Sequence, residues 1–343
     1  MHNPSFSHGD DGYRFNTSIV ADFSSNVWMG GTPDGLLAHL TGKLSLIGNY
    51  PQLHAESLTE AYAIQHGVDS SQVLVTNGTA EAIFLVARHF QLQNSTIVIP
   101  TFSEYEHACT LYQHMLGFVS VDDIPSIERT QPGLFWWCHP NNPTGHCFDG
   151  WQVEQLVGAN PQTVFVIDEA YVDLCAQKGS LADVVNRHHN LLVLRSMTKH
   201  HTIPGLRLGY LLGDAALVQD IAAFQPPWSV NALAIEAGHY LLAHRTTIDV
   251  GSWLEKARLL RETLVAVTGW KAMPSSTAYF MMEAPMPATL LKQILVERYG
   301  ILIRDASNFR GLGANHFRIC AQSDEKNRLL VAALKALAEG KDE

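Results

Sequence analysis

The sequence predicts an α/β protein with a mainly parallel sheet, and two observations carry that prediction. Short apolar runs ending in polar, Gly or Pro positions alternate with amphipathic stretches, the pattern of strands joined by crossover helices. Several runs also carry Val, Ile and Leu on consecutive positions, as strands buried on both faces do. The runs are Val73 to Thr76, Thr96 to Ile99, Leu134 to Cys138, Val164 to Ile167, Leu191 to Leu194 and Leu208 to Leu212. A helix is expected from Thr79 to about Phe90, because Ala80, Ile83, Phe84 and Ala87 recur at helical spacing while Glu81 and Arg88 fall on the other side. Another begins near Ser323 and Asp324, good N-cap residues, with Leu329, Leu330, Ala333, Leu334 and Leu337 as its apolar face. Pro226-Pro227 breaks regular structure between Gln225 and Asn231, and a domain boundary there fits a large central domain followed by a smaller one.

Composition limits the function classes. With 343 residues and 46% hydrophobic content the chain can bury one large core or two unequal ones. A formal charge of -10, with both signs mixed along the chain, gives no footprint for nucleic acid or an anionic membrane. No basic segment followed by an apolar core opens the sequence, and no apolar run is long enough to span a bilayer, so cytoplasmic residence is expected. The five cysteines are scattered without C-x-x-C spacing, which suits a reducing compartment. Among the seventeen histidines, the pairs His188-His189 and His200-His201 project divergent side chains, and no H-E-x-x-H accompanies them. No metal is expected.

The chemistry concentrates at the ends of the predicted strands. From Ser196 to Arg207 a lysine, Lys199, stands beside hydroxyls and a fixed cation. A lysine amine condenses with an aldehyde only when deprotonated, and nearby positive charge lowers its pKa toward that state. Ser196, Thr198 and Arg207 supply donors for a dianionic phosphate, and pyridoxal 5'-phosphate carries both an aldehyde and a phosphate. In Asn77-Gly78-Thr79-Ala80-Glu81 the backbone N–H groups of Thr79 and Ala80 form either an anion site, with Gly78 permitting close approach, or a plain capping turn. Asp168 and Glu169 end an apolar strand. Asp168 can hold a proton on a pyridine nitrogen and Tyr171 can donate to a ring oxygen; the rival Mg²⁺-ligand reading lacks the phosphate loop it requires. Asn142, in the turn Cys138 to Gly145, offers an uncharged amide, and Tyr105 can stack on the cofactor ring. Arg304 and Arg318 flank a loop with Asn308, Gly311 and Gly313, and two arginines suit a substrate with two anionic groups.

The ordered set N-G-T-A-E, P-T-F-S-E-Y, P-N-N-P-T-G, D-E-A-Y, S-x-T-K with Arg eight residues on, and a late F-R-I resembles fold type I pyridoxal-phosphate enzymes of the aminotransferase class I/II superfamily. The resemblance implies a large cofactor-binding domain with a mainly parallel mixed sheet over residues 46–230 and a small α+β domain from 1–45 with 231–343. It implies that Lys199 forms the Schiff base with the cofactor, that Asp168 pairs with the pyridine nitrogen, and that Asn142 and Tyr171 bond the ring oxygen. Gly78, Thr79, Ala80, Ser196, Thr198 and Arg207 would surround the cofactor phosphate. The active sites would be shared across a homodimer, Tyr50 reaching the neighbouring subunit's cofactor phosphate. Within the superfamily the likeness is to threonine-phosphate decarboxylases, which serve cobalamin biosynthesis, with histidinol-phosphate aminotransferases next. By that likeness Arg318 holds the substrate carboxylate, while Arg304, His8 and Asn26 meet its phosphate. The residues alone leave decarboxylation and transamination open. Three stretches depart from the family pattern: Val27-Trp28-Met29-Gly30 stands where Asn-Pro-Leu-Gly is usual, His200-His201 replaces an aromatic pair, and the stretch from Val119 to Gly133 is shorter than usual.

Overall fold

In the computed structural model, which describes residues 9–175, 179–244 and 248–340, a seven-stranded sheet forms the centre of the molecule. From one edge the strands run Val73–Thr76, Gly209–Leu212, Leu191–Ser196, Thr163–Asp168, Gly133–Cys138, Asn94–Ile99 and Met115–Ser120. Only Gly209–Leu212 is antiparallel to its neighbours. The six expected strands are all present, each within two residues of the sequence reading at either end.

Successive side chains on a strand point to opposite faces, and both faces are covered. Leu134, Trp136 and Cys138 enter one hydrophobic cluster while Phe135 and Trp137 enter the other. Likewise Leu192 and Leu194 face away from Leu191 and Val193. This two-sided burial explains the consecutive apolar positions in the sequence. The seventh strand, Met115–Ser120, was not foreseen, because it lies at the sheet edge with Met115 62% and Phe118 37% exposed and carries no buried run.

The helix Gly78–His89 follows the first strand, and the C-terminal helix spans Asp324–Ala338 with Ser323 as its N-cap. Both apolar faces differ in detail from the sequence reading. Ala82, Leu85 and Val86 are buried along with Ile83 and Ala87, since this helix packs against both the sheet and the helix Glu104–Leu111. On the C-terminal helix Leu329 turns to solvent at 43% exposure; one residue is 100° of helix, so Leu329 and Leu330 cannot both face the core. Pro226-Pro227 does fall in an irregular stretch, between the helices Ala215–Ala222 and Ala232–Ala243.

A four-stranded antiparallel sheet, ordered Arg304–Asp305, His316–Cys320, Tyr279–Glu283 and Lys271–Ala272, lies beside the main one. Ala21–Asp22 pairs in parallel with Ile301–Leu302. Among the described residues no helix is long and apolar enough to cross a membrane.

Register sets the site. Cys138 lies opposite Asp168, Asp168 opposite Leu194, and both Ser196 and Thr76 opposite Gly209, so the C-terminal ends of the central strands form one rim. In the smaller sheet Arg304 is directly opposite Arg318, which puts the two side chains on one face. The packing is tight enough to test: Phe165→Ala, at a fully buried position, should lower the unfolding free energy in urea by about 3–5 kcal/mol.

Candidate active site

Asp168 ends its strand at the rim and is 3% exposed. The Tyr105 hydroxyl donates to its Oδ2 at 2.6 Å and the Ala170 amide to its Oδ1 at 2.9 Å. Burial raises the carboxyl pKa, opposed by these two donors and by Lys199. Glu169 points elsewhere. Its carboxylate accepts from Ser180 Oγ at 2.5 Å, the Leu181 amide at 2.6 Å and Arg195 at 3.1 Å. The adjacent acids therefore do not converge on one ion, and Glu169 is a buried structural anchor.

Across the rim lies the start of the helix Gly78–His89. Asn77 makes no side-chain cap to it, so the first-turn amides remain for another acceptor. Gly78 has φ +75°, and a Cβ there would sit 2.6 Å from Arg207 Nη2, so glycine is required both by the backbone and by the guanidinium beside it. Ser196 and Thr198 are buried with hydroxyls 2.8 Å apart. Amides, two hydroxyls and a guanidinium make a dianion cradle.

Lys199 follows this cradle and borders two adjoining cavities of about 100 and 450 Å³. Its amine pKa is lowered to about 8, first by desolvation and then by Arg207 and Arg318, with Asp168 and Asp10 opposing. A substantial fraction is therefore neutral near pH 7.5. Its carbonyl accepts from the Trp28 amide at 3.0 Å, while Thr202 Oγ1 donates to Trp28 O at 2.9 Å. The altered stretch Val27 to Gly30 is thus tied through Trp28 to the Lys199 loop, and the cradle's residues stay in place.

The larger cavity holds Arg304 and Arg318, only 3% and 5% exposed. Arg318 donates to Asn142 Oδ1 and, at 2.5 Å, to Ser24 O. Arg304 Nη2 donates to Asn308 Oδ1 at 2.9 Å, and its guanidinium lies over the Phe309 ring at 5.0 Å. Desolvation, then repulsion from Arg318, lowers the Arg304 pKa to about 10, so Arg304 stays charged at neutral pH. Asn26 lies by the buried Tyr171 hydroxyl, whose pKa is raised by desolvation, yet among the described residues its amide finds no hydrogen bond of good geometry.

The structure gathers Gly78, Thr79, Ala80, Tyr105, Asn142, Asp168, Tyr171, Ser196, Thr198, Lys199 and Arg207 around the smaller cavity, and Asn26, Arg304 and Arg318 around the larger. One placement differs from expectation. Tyr105 is not free to stack on a ring: its hydroxyl is committed to Asp168 and its own ring is stacked on Trp136 at 5.5 Å, wholly buried. Phe102, which borders both cavities, offers a ring face instead, and only its place in P-T-F-S-E-Y hinted at it. Tyr50 borders neither cavity; it is 82% exposed and packs on Trp228 at 4.9 Å. His8 lies outside the described residues. Sequence reasoning also missed Asp10 and Phe309, which carry no motif and reach the larger cavity through chain folding alone.

The site's residues fit pyridoxal phosphate. The uncapped amides, Ser196, Thr198 and Arg207 match its phosphate, Asp168 its ring nitrogen, and Lys199 its aldehyde. Comparisons with known proteins agree. A 31% identical relative over 94% of this chain and 92% of its own length is a threonine-phosphate decarboxylase of Salmonella typhimurium. A histidinol-phosphate aminotransferase of Thermoanaerobacter pseudethanolicus is 30% identical, covering 86% of each chain. The crystal structure of L-threonine-O-3-phosphate decarboxylase from Porphyromonas gingivalis superposes with a TM-score of 0.91 at 35% identity, covering 93% of this chain and all of that one. The aminotransferase class I and II family model matches residues 18–334, and the chain belongs to that family.

Proposed function

We propose that this protein is a pyridoxal-phosphate-dependent decarboxylase that converts L-threonine O-3-phosphate to aminopropanol phosphate and CO2, in cobalamin biosynthesis. The observation that carries the reading is the pair of buried arginines facing one cavity beside Lys199, a match for a substrate with a carboxylate and a phosphate. The relatives named as threonine-phosphate decarboxylases support the same choice.

When bound, pyridoxal phosphate supplies a conjugated cationic ring that accepts the electron pair of the bond broken at the substrate α-carbon. Asp168, fixed by Tyr105 and Ala170, holds a proton on the ring nitrogen. Asn142 and Tyr171 would bond the ring oxygen, and Phe102 would offer its face to the ring. The helix amides at Thr79 and Ala80 with Ser196, Thr198 and Arg207 hold the phosphate. Arg318, steadied by Asn142 and Ser24, orients the substrate carboxylate, and Arg304 with Asn26 takes the substrate phosphate. By fixing the carboxylate, Arg318 would decide which bond at the α-carbon is the one weakened, and a carboxylate so held would leave as CO2. Lys199 then delivers a proton to that carbon.

On the same reading residues 46–230 form the cofactor-binding domain and 1–45 with 231–343 the smaller one. The protein is a cytoplasmic homodimer, and the exposed Tyr50, with Ile47 and Trp228 near it in sequence or space, lies at the subunit contact, reaching toward the partner subunit's site.

Purified protein loaded with pyridoxal phosphate should release CO2 from L-threonine O-3-phosphate and sediment as a dimer. Glutamate from histidinol phosphate and 2-oxoglutarate, with no CO2 from threonine phosphate, would replace the decarboxylase reading by the aminotransferase one. A second expectation follows from the Lys199 pKa. Reaction of the cofactor-free protein with pyridoxal, which lacks the phosphate, should rise with pH through about 8 and then level off. Arg207→Met removes one of the cations that depress this pKa, so the midpoint should move to higher pH; an unchanged or lower midpoint would contradict the assignment.

A further inference from the structure

The substrate cavity has an outer wall that none of the proposed catalytic contacts explains. Gly9 and Asp10 border it, on a short segment that leads into the single turn Gly12–Arg14. Among the described residues, polar contacts bind this segment to the rest of the molecule at two places. At the cavity, a Cβ on Gly9 would come within 2.6 Å of Ser24 O, and the Asp10 amide donates to Ser24 Oγ at 2.8 Å. Asp10 takes φ +56°, a left-handed turn that aspartate tolerates better than most residues. Ser24 is itself fully buried, and its carbonyl accepts from Arg318. The position of the segment is therefore linked through one residue to the arginine that takes the carboxylate.

Behind the cavity lies the second attachment. Lys292, on the helix Ala288–Tyr299, extends its ammonium to both oxygens of Asp11 at 2.6 and 2.7 Å. Lys292 is 8% exposed and Asp11 7%. The Phe15 ring lies 5.8 Å from the same ammonium. Buried charges are held only in pairs, and loss of one partner leaves the other uncompensated. Lys292 is fixed on a packed helix, whereas the segment of Asp11 has few other polar ties among the described residues. Breaking the pair is relieved by Asp11 moving into water, and Gly9 and Asp10 move with it.

We propose that the Lys292–Asp11 ion pair anchors residues 9–11 as the outer wall of the substrate cavity, making Lys292 a positioning residue for substrate binding. This rests on the proposed decarboxylase reading for its kinetic consequence and on geometry alone for its structural one. The pair touches neither the cofactor cradle nor Lys199, so its loss weakens substrate binding and leaves bond breaking nearly intact. The test compares wild type, Asp11→Asn and Lys292→Met as cofactor-loaded enzymes. Hydrogen–deuterium exchange should rise in the peptide covering residues 9–15 and stay unchanged in the strand Thr163–Asp168. KM for L-threonine O-3-phosphate should rise about tenfold with kcat within about twofold. Asp11→Asn leaves the helix untouched and so reports even if Lys292→Met folds poorly. Unchanged exchange at residues 9–15, or raised exchange with unchanged KM, would overturn the proposal. Exchange needs no turnover, so a wild type that fails to release CO2 would count against the decarboxylase reading and leave the anchor to be judged by exchange.

Discussion

Keeping a carboxylate and several cations together out of water is the constraint on which this molecule is organised. Asp168, Lys199, Arg207, Arg304 and Arg318 all border two adjoining cavities, and charges removed from water persist only when paired or richly hydrogen-bonded. The fold meets that demand with fixed donors and acceptors. Tyr105 and the Ala170 amide hold Asp168, Asn142 and Ser24 hold Arg318, and Asn308 holds Arg304. Lys199 is buried beside Arg207 and Arg318, and its amine accordingly has the lowered pKa that reaction with an aldehyde requires. Reactivity and architecture come from one electrostatic arrangement.

The sheet makes the arrangement possible. Five adjacent strand ends lie in register, so groups spread over residues 76 to 209 reach one rim. The smaller sheet contributes Arg304 and Arg318 by the same means, through a single cross-strand pair. Parallel strands buried on both faces leave little freedom for that rim to move. A site built on strand ends is accordingly held with more precision than one built on long loops.

Most of the cofactor end was legible in the sequence because each element there has a local signature. Gly78 is needed where Arg207 crowds the helix start, and consecutive apolar residues mark strands such as Leu191–Ser196 that are covered twice. What the sequence concealed was partnership across distance. Nothing local distinguishes Tyr105 as a donor to Asp168 from Tyr105 as a ring that stacks, and Phe102 three positions earlier is an equally ordinary aromatic. The edge strand Met115–Ser120 has no buried face pattern to read. The Lys292–Asp11 pair joins positions 281 residues apart, which no motif spans. The altered segment Val27 to Gly30 gave no local sign that Trp28 is bonded to the Lys199 loop, a contact made across more than 170 residues.

The central claim is that one amine, that of Lys199, is poised to bond an aldehyde whose phosphate the helix start receives. Borohydride reduction of the protein after incubation with pyridoxal phosphate, followed by peptide mass spectrometry, tests it directly. The account predicts a single stable adduct on Lys199, formed at a much lower concentration of pyridoxal phosphate than of pyridoxal and absent in Lys199→Ala. An adduct spread over surface lysines, or one that persists undiminished in Lys199→Ala, would contradict it.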